Sequence, residues 1–151
     1  GQHQSAGQVQ IRYNPGDWSQ TEPSVQTLYQ NVSGMKNRVE SGDQFGHYIE
    51  VVDLIEDETL DLVIGVPGES ISKKMNAGAV AILPGLNGEI STGNDQILYP
   101  YQSSITGNSQ AEALFGLSFA SLNGDLIVGA PGRNVLGVSE AGAFYYLSFA
   151  G

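Results

Sequence analysis

The stretch DLVIGVPG at residues 61–68 returns as DLIVGAPG at residues 125–132, and this repetition decides the fold. The same signatures flank both stretches: a Phe-Gly pair before them, at 45–46 and 115–116, and an Ala-Gly-Ala triplet after them, at 77–79 and 141–143. The Phe-Gly pairs lie 70 residues apart, and the other two signatures lie 64 apart. A partial third copy, AGQVQI, occupies residues 6–11. Repeats of this length are typical of stacked units that bury their apolar faces against one another.

Glycine content and short apolar runs predict an all-β chain. There are 20 glycines in 151 residues, and no segment shows a helical period with caps. The nearly continuous apolar run at 60–66 is typical of a strand covered on both faces, and Asn123-Gly124 predicts a tight hairpin. We expect strands over 8–13, 48–54, 60–66, 79–83, 96–101, 117–122, 125–128 and 143–149, with one outer strand in each of the polar connections 18–41 and 87–110.

The charge balance excludes several classes of partner. Six basic residues against sixteen acidic ones give a net charge of -10, which argues against binding to nucleic acid or to an anionic membrane. No apolar run is long enough to insert into a bilayer, and without cysteine neither a disulfide nor a thiolate metal site can form. Eight of the sixteen acids fall between Asp43 and Glu69, which favours either a cation site or a charged, solubilising rim.

Taken together, the Phe-Gly pair, the acidic loop, the Gly-x-Pro-Gly turn and the Ala-Gly-Ala triplet resemble the FG-GAP repeat of integrin α-subunit β-propellers and of many bacterial secreted proteins. The resemblance implies β-propeller blades of four antiparallel strands. It divides the single segment 1–151 into the end of a preceding blade at 6–20, a full blade at 43–102 and a partial blade at 113–151. About two repeats cannot close a ring of the usual seven blades. We therefore expect either a fragment of a larger propeller or a homo-oligomer.

The resemblance also implies a calcium loop in the first repeat, with oxygen ligands at positions 1, 3, 5, 7 and 9. Asp53, Asp57 and Asp61 occupy positions 1, 5 and 9, and Thr59 offers its carbonyl at position 7. Position 3 is Ile55, which has no side-chain oxygen; Glu56 is an auxiliary candidate. Glu58 stands where glycine is usual. The alternative is an acidic hairpin turn without metal. In the second repeat the loop shrinks to Leu122-Asn123-Gly124, and we expect no metal there.

The sequence offers no catalytic constellation: nucleophile elbow, phosphate-binding loop and zinc signature are all missing. We therefore expect a binding protein and not an enzyme, with a protein or a glycan as ligand. Trp18 and Tyr29, in the first long polar connection, are the candidate ligand-binding aromatics. The resemblance implies a secreted or cell-surface adhesion module, with calcium as its candidate stabilising ion. Two alternatives stay open: a carbohydrate-binding propeller lectin, and an accessory domain of a larger secreted hydrolase.

Overall fold

The computed structural model describes residues 4–13, 24–54, 57–102 and 105–149. Within these ranges the chain is all-β, with eleven strands and no helix, as the sequence predicts. The strands are β1 (Val9–Tyr13), β2 (Ser24–Leu28), β3 (Ile49–Val52), β4 (Asp61–Val66), β5 (Ala79–Leu83), β6 (Gly85–Leu86), β7 (Glu89–Ile90), β8 (Gln96–Leu98), β9 (Phe119–Leu122), β10 (Asp125–Ala130) and β11 (Ala143–Leu147).

Nine of these strands form three antiparallel sheets in chain order. Sheet I contains β1 and β2, sheet II is ordered β3-β4-β5-β8, and sheet III is ordered β9-β10-β11. A two-stranded hairpin, β6-β7, is inserted between β5 and β8. Sheet II lies within the predicted full unit at 43–102. Residues 14–20 of the predicted unit 6–20 lie outside the described residues, as do 150 and 151.

The observed strands differ from the predicted ones mainly at their ends. Strand β8 stops at Leu98, because the amide of Tyr99 turns to the Gln102 side chain at 3.2 Å and Gln102 donates back to Ile97 at 2.7 Å. Strand β10 continues to Ala130. The hairpin β6-β7 is not among the predicted strands, although Asn87 and Gly88 at its turn have the positive φ values, 53° and 83°, that an Asn-Gly hairpin needs.

Two apolar clusters fill the spaces between successive sheets. Alternate residues of β4 point in opposite directions: Leu62 and Ile64 enter the cluster shared with sheet I, whereas Val63 enters the cluster shared with sheet III. Every residue of β4 and β5 is buried. This confirms the expectation that the run at 60–66 forms a strand covered on both faces, although Leu60 itself lies outside β4 and is exposed.

Successive sheets are joined by a backbone contact that occurs twice. In the first junction, the amides of Gly42, Gln44 and Phe45 donate to the carbonyls of Gln4, Ser5 and Ala6 at 2.9, 3.0 and 2.7 Å. In the second junction, the amides of Glu112, Leu114 and Phe115 donate to those of Met75, Asn76 and Ala77 at 2.9, 3.0 and 3.0 Å. A Cβ built on Gly7 or Gly78 would lie closer than 3.0 Å to the carbonyl oxygen of Phe45 or Phe115, respectively. Only glycine allows this approach.

Candidate functional site

The acidic loop between β3 and β4 is closed by its own backbone amides. Asp53 accepts hydrogen bonds from the amides of Asp57 and Glu58, both at 3.2 Å. Asp57 accepts the amide of Thr59 at 2.9 Å and also the Thr59 hydroxyl. These bonds, the hydroxyl first, hold the pKa of the exposed Asp57 below its ordinary value. Glu58 adopts a φ of 64°, the left-handed conformation that a glycine would reach more easily.

Asp61 anchors the end of the same loop. It is fully buried at the start of β4. One carboxylate oxygen accepts the amide of Leu54 at 3.0 Å, and the other accepts the amide of Gly85 at 3.2 Å. The carboxylate therefore ties both ends of the loop to the first residue of β6, which is a structural role.

The structure brings the predicted calcium ligands Asp53, Asp57, Thr59 and Asp61 into one loop, whereas Glu56 lies outside the described residues. Across the described ranges, no three histidine, cysteine or acidic side chains form a group that could hold a metal ion. The loop carboxylates bind loop amides, which is what a metal-free acidic turn requires. Calcium binding at this loop stays a prediction.

The corresponding turn in the second repeat is a two-residue hairpin. Leu122 pairs with Asp125, and Asn123 and Gly124 between them have φ values of 51° and 80°. This confirms the hairpin predicted from the Asn-Gly pair. Asp125 accepts the Tyr146 hydroxyl and the amide of Phe149, so its carboxylate holds the end of β11 against β10.

A cleft of about 760 Å³ lies beside the Gly-x-Pro-Gly turn of the first repeat. Its walls carry mostly polar side chains, with one aromatic ring; they include Lys36, Asn37, Glu69, Gln96, Tyr99 and Gln102. Amide, hydroxyl, ammonium and carboxylate groups in one concave surface provide both hydrogen-bond donors and acceptors. Such a cleft can recognise a polar ligand, and we name it the Glu69 cleft.

Glu69 is the acidic side chain among the described lining residues of this cleft. Its side chain is only 5% exposed, and one oxygen, Oε2, accepts hydrogen bonds from the side-chain amides of Gln30 and Asn37, both at 2.7 Å. Burial, and then the negative charge of Asp43, raise the pKa of Glu69 to about 7, against the lowering effect of the two amides. The side-chain carbonyl oxygen of Gln30 is buried without a partner among the described residues. Glu69 therefore changes its charge near neutral pH.

The polar connection between β2 and β3 is fastened to sheet II beside the cleft. The amide of Lys36 donates to the Asp95 carboxylate at 3.1 Å, and the Lys36 ammonium donates to the Asp95 carbonyl at 2.5 Å. Together with the Gln30 and Asn37 bonds to Glu69, these contacts attach residues 30–37 to Asp95, which precedes β8, and to Glu69, which follows β4. The cleft wall thus depends on bonds between distant parts of the chain.

Sequence reasoning missed this cleft. Gln30 and Asn37 are 39 and 32 residues from Glu69, and no local spacing indicates that they meet. One signal was available, since Glu69 directly follows the Gly-x-Pro-Gly turn and closes the acid-rich stretch that begins at Asp43.

The predicted ligand-binding aromatics, Trp18 and Tyr29, are not among the described lining residues of the Glu69 cleft. Trp18 lies outside the described residues. Tyr29 is 41% exposed at the end of β2 and is not part of the Glu69 cleft, where Tyr99 supplies the aromatic ring. Tyr145 packs edge-on against Phe115, with ring centroids 5.2 Å apart, and has a structural role.

No protein-family model and no curated protein matches the chain. The resemblance to the FG-GAP repeat therefore stays a prediction from the sequence motifs. In sheets II and III, the Phe-Gly pair precedes the first strand and Ala-Gly-Ala leads into the third. Within the described ranges, no helix has the length and apolarity needed to cross a membrane.

Proposed function

We propose that the chain is a segment of an FG-GAP-type β-propeller that acts as a secreted or cell-surface binding or adhesion module. The observation that carries the proposal is the junction between successive sheets, which recurs with the same backbone hydrogen bonds at equivalent residues of the two repeats. A junction that repeats with the sequence favours a regular array of similar sheets, as in a propeller. The resemblance supplies the adhesion role, since fold alone assigns no function.

An adhesion assay tests this role directly. Cells should attach to surfaces coated with the purified chain, and chain added in solution should compete with this attachment. A coat of an unrelated acidic protein is the control, because a net charge of -10 can by itself change how a surface holds cells. Attachment no greater than on this control would contradict the proposal.

Calcium at the acidic loop belongs to the same proposal. Asp53, Asp57 and Asp61 would supply carboxylate oxygens and Thr59 its carbonyl. The oxygens of Asp53 and Asp61 that accept one amide each would keep a second lone pair for a cation, whereas Asp57 would use its other oxygen, since Oδ1 accepts both the amide and the hydroxyl of Thr59. The ion would stiffen the turn between β3 and β4. Without an oxygen at Ile55, the affinity should be weak.

A second candidate function is glycan binding in the Glu69 cleft. It is favoured by the lining, where amide and hydroxyl groups accompany the ring of Tyr99; sugars are bound by such hydrogen-bonding groups together with an aromatic face. A glycan array should then show binding that Gln96→Ala removes. Gln10→Ala is the matched control, because Gln10 is an exposed strand glutamine on sheet I, outside the cleft. Equal binding by both variants would exclude this cleft as the sugar site.

A further inference from the structure

Glu69 is a buried carboxylate that no cationic side chain contacts among the described residues. Its Oε2 accepts hydrogen bonds from the neutral side-chain amides of Gln30 and Asn37, both at 2.7 Å, whereas Oε1 accepts none within the described ranges. The charges that act on it from nearby, those of Asp43 and Glu40, are both negative. A buried anion in such surroundings is stabilised by a positive charge that comes close to it.

Two buried oxygen atoms near the cleft also have no hydrogen-bond donor in the part of the chain that the structure describes. Gln30 is 2% exposed and donates to Glu69 through its side-chain nitrogen, but its carbonyl oxygen is unpartnered. Asp95 is 0% exposed and accepts the Lys36 amide through Oδ2, and its Oδ1 is unpartnered as well. Buried acceptors in folded proteins nearly always have a donor. The cleft therefore suits a ligand group that donates several hydrogen bonds and carries a positive charge.

A primary ammonium group meets this description better than a metal ion does. An ammonium carries three donors and one positive charge, whereas a divalent cation such as calcium takes about six to eight oxygen ligands. Over the described residues, no three histidine, cysteine or acidic side chains form a group that could hold a metal ion. At about 760 Å³ the cleft is also far larger than an ion, and it has room for a sugar ring beside the ring of Tyr99.

We propose that the Glu69 cleft binds a glycan that carries a free primary ammonium group, that is, an amino sugar without its N-acetyl group. The ammonium donates to the Glu69 carboxylate, and the ring of Tyr99 and the side-chain amides of Gln96 and Gln102 contact the rest of the sugar. The inference rests on the glycan-binding function proposed above for this cleft, whose ligand it specifies, and it is independent of the adhesion role.

The second repeat carries its own cation at the equivalent position. The residue 64 positions after Glu69 is Arg133. Its guanidinium donates to the Asn108 carbonyl at 2.8 Å and lies 5.6 Å from the centroid of the Tyr145 ring. Because like charges repel, an ammonium ligand should avoid this turn. Residues 132–135 therefore provide a control within the same molecule.

The test uses the full chain, isotope-labelled for amide NMR, and the β-1,4-linked trimers of glucosamine and of glucose. These two ligands carry an ammonium and a hydroxyl group, respectively, at the same ring carbon, so they differ in charge and hardly in size. At about pH 7 the glucosamine trimer should shift the amide signals of residues 69–72 and 96–99, leave those of 132–135 unchanged, and bind about tenfold or more tightly than the glucose trimer.

The two trimers separate a failure of this inference from a failure of the glycan function itself. Equal affinities for both trimers, with shifts at 69–72 and 96–99, would overturn the inference and leave glycan binding in place. No shift with either trimer at about 10 mM would overturn the inference and would also remove the cleft as a sugar site.

Two variants then identify the carboxylate. Glu69→Gln removes the charge but keeps a side-chain oxygen for Gln30 and Asn37, so it should bind the glucosamine trimer about tenfold or more weakly than the wild type. Glu89→Gln is the matched control, because Glu89 is an exposed acid of β7, outside the lining of the cleft; it should bind like the wild type. Equal losses in the two variants would show only a general attraction between a cationic sugar and an acidic protein, and would overturn the proposal.

Discussion

Replacing the buried carboxylate of the cleft, Glu69→Gln, should make the stability of this protein less dependent on pH. In the folded chain, burial and the nearby Asp43 raise the pKa of Glu69 from 4.5 to about 7. The folded state therefore holds this proton more tightly than the unfolded chain. The resulting stabilisation is fully present below pH 4.5, declines as the pH rises, and is lost once the pH passes about 7.

The size of the effect follows from the same shift. A change from 4.5 to about 7 corresponds to at most roughly 3.5 kcal/mol of unfolding free energy, at about 1.4 kcal/mol for each pKa unit. We expect the wild-type chain to lose roughly 1–3 kcal/mol from this one group between about pH 4.5 and pH 8. Glutamine cannot ionise and still offers a carbonyl oxygen to Gln30 and Asn37, so the variant should be the more stable protein at the alkaline end.

Urea unfolding of both proteins across this pH range measures the difference. The matched control is Glu58→Gln, because Glu58 is an exposed acid in the loop between β3 and β4. It should follow the wild-type pH dependence. A carbon NMR titration of the Glu69 carboxyl group gives the pKa itself. Parallel pH profiles for wild type and Glu69→Gln, or a carboxyl titration near 4.5, would refute the electrostatic reasoning.

Three further predictions concern the acidic loop, the second junction and two phenylalanines. Calorimetric titration with calcium should release or absorb heat with the wild-type chain but not with Asp57→Asn; equal heats would remove the loop as the site. Gly78→Ala should lower the melting temperature far more than Gly88→Ala, which costs about 1 kcal/mol or less at an unobstructed turn; similar melting temperatures would argue against the close approach at the second junction. Phe115→Ala should cost roughly 3–5 kcal/mol in urea unfolding, whereas Phe144→Ala should cost under about 1 kcal/mol, because the first side chain is 0% exposed and the second 74%. Equal losses would show that the Phe144 side chain is covered in solution.

Elements with a local cause could be predicted from the sequence. Strand β5 lies at the predicted residues, Ala79–Leu83, because a short apolar run flanked by a glycine and a proline leaves little freedom at either end. Strand β8 was predicted too long, since its end depends on the Gln102 side chain. The β6-β7 hairpin carried the same Asn-Gly signal as the β9-β10 hairpin, but its strands are only two residues long, too short for an alternating pattern.

The two candidate sites also differ in how far the sequence could predict them. The acidic loop is continuous in sequence, so its members could be named in advance, and Asp53, Asp57, Thr59 and Asp61 do share one turn. The sequence did not indicate that Asp61 is buried and accepts hydrogen bonds from two amides, one of them that of Gly85. The Glu69 cleft was not predicted, because its lining comes from three separate segments, 36–37, 69–72 and 96–102, that meet only in the folded chain.

Comparison of the two repeats shows where their chemistry differs. Residues equivalent to Asp43 and Glu69 in the second repeat are Ala113 and Arg133. Arg133 donates to the Asn108 carbonyl at 2.8 Å and lies over the Tyr145 ring, 5.6 Å from its centroid. The same backbone turn thus holds a neighbouring loop through a buried acid in one repeat and through a cation in the other. The junction hydrogen bonds occur in both repeats and therefore explain why the repeats have the same architecture. The side chains at these two positions differ between the repeats, so we expect ligand selectivity to depend first on Glu69.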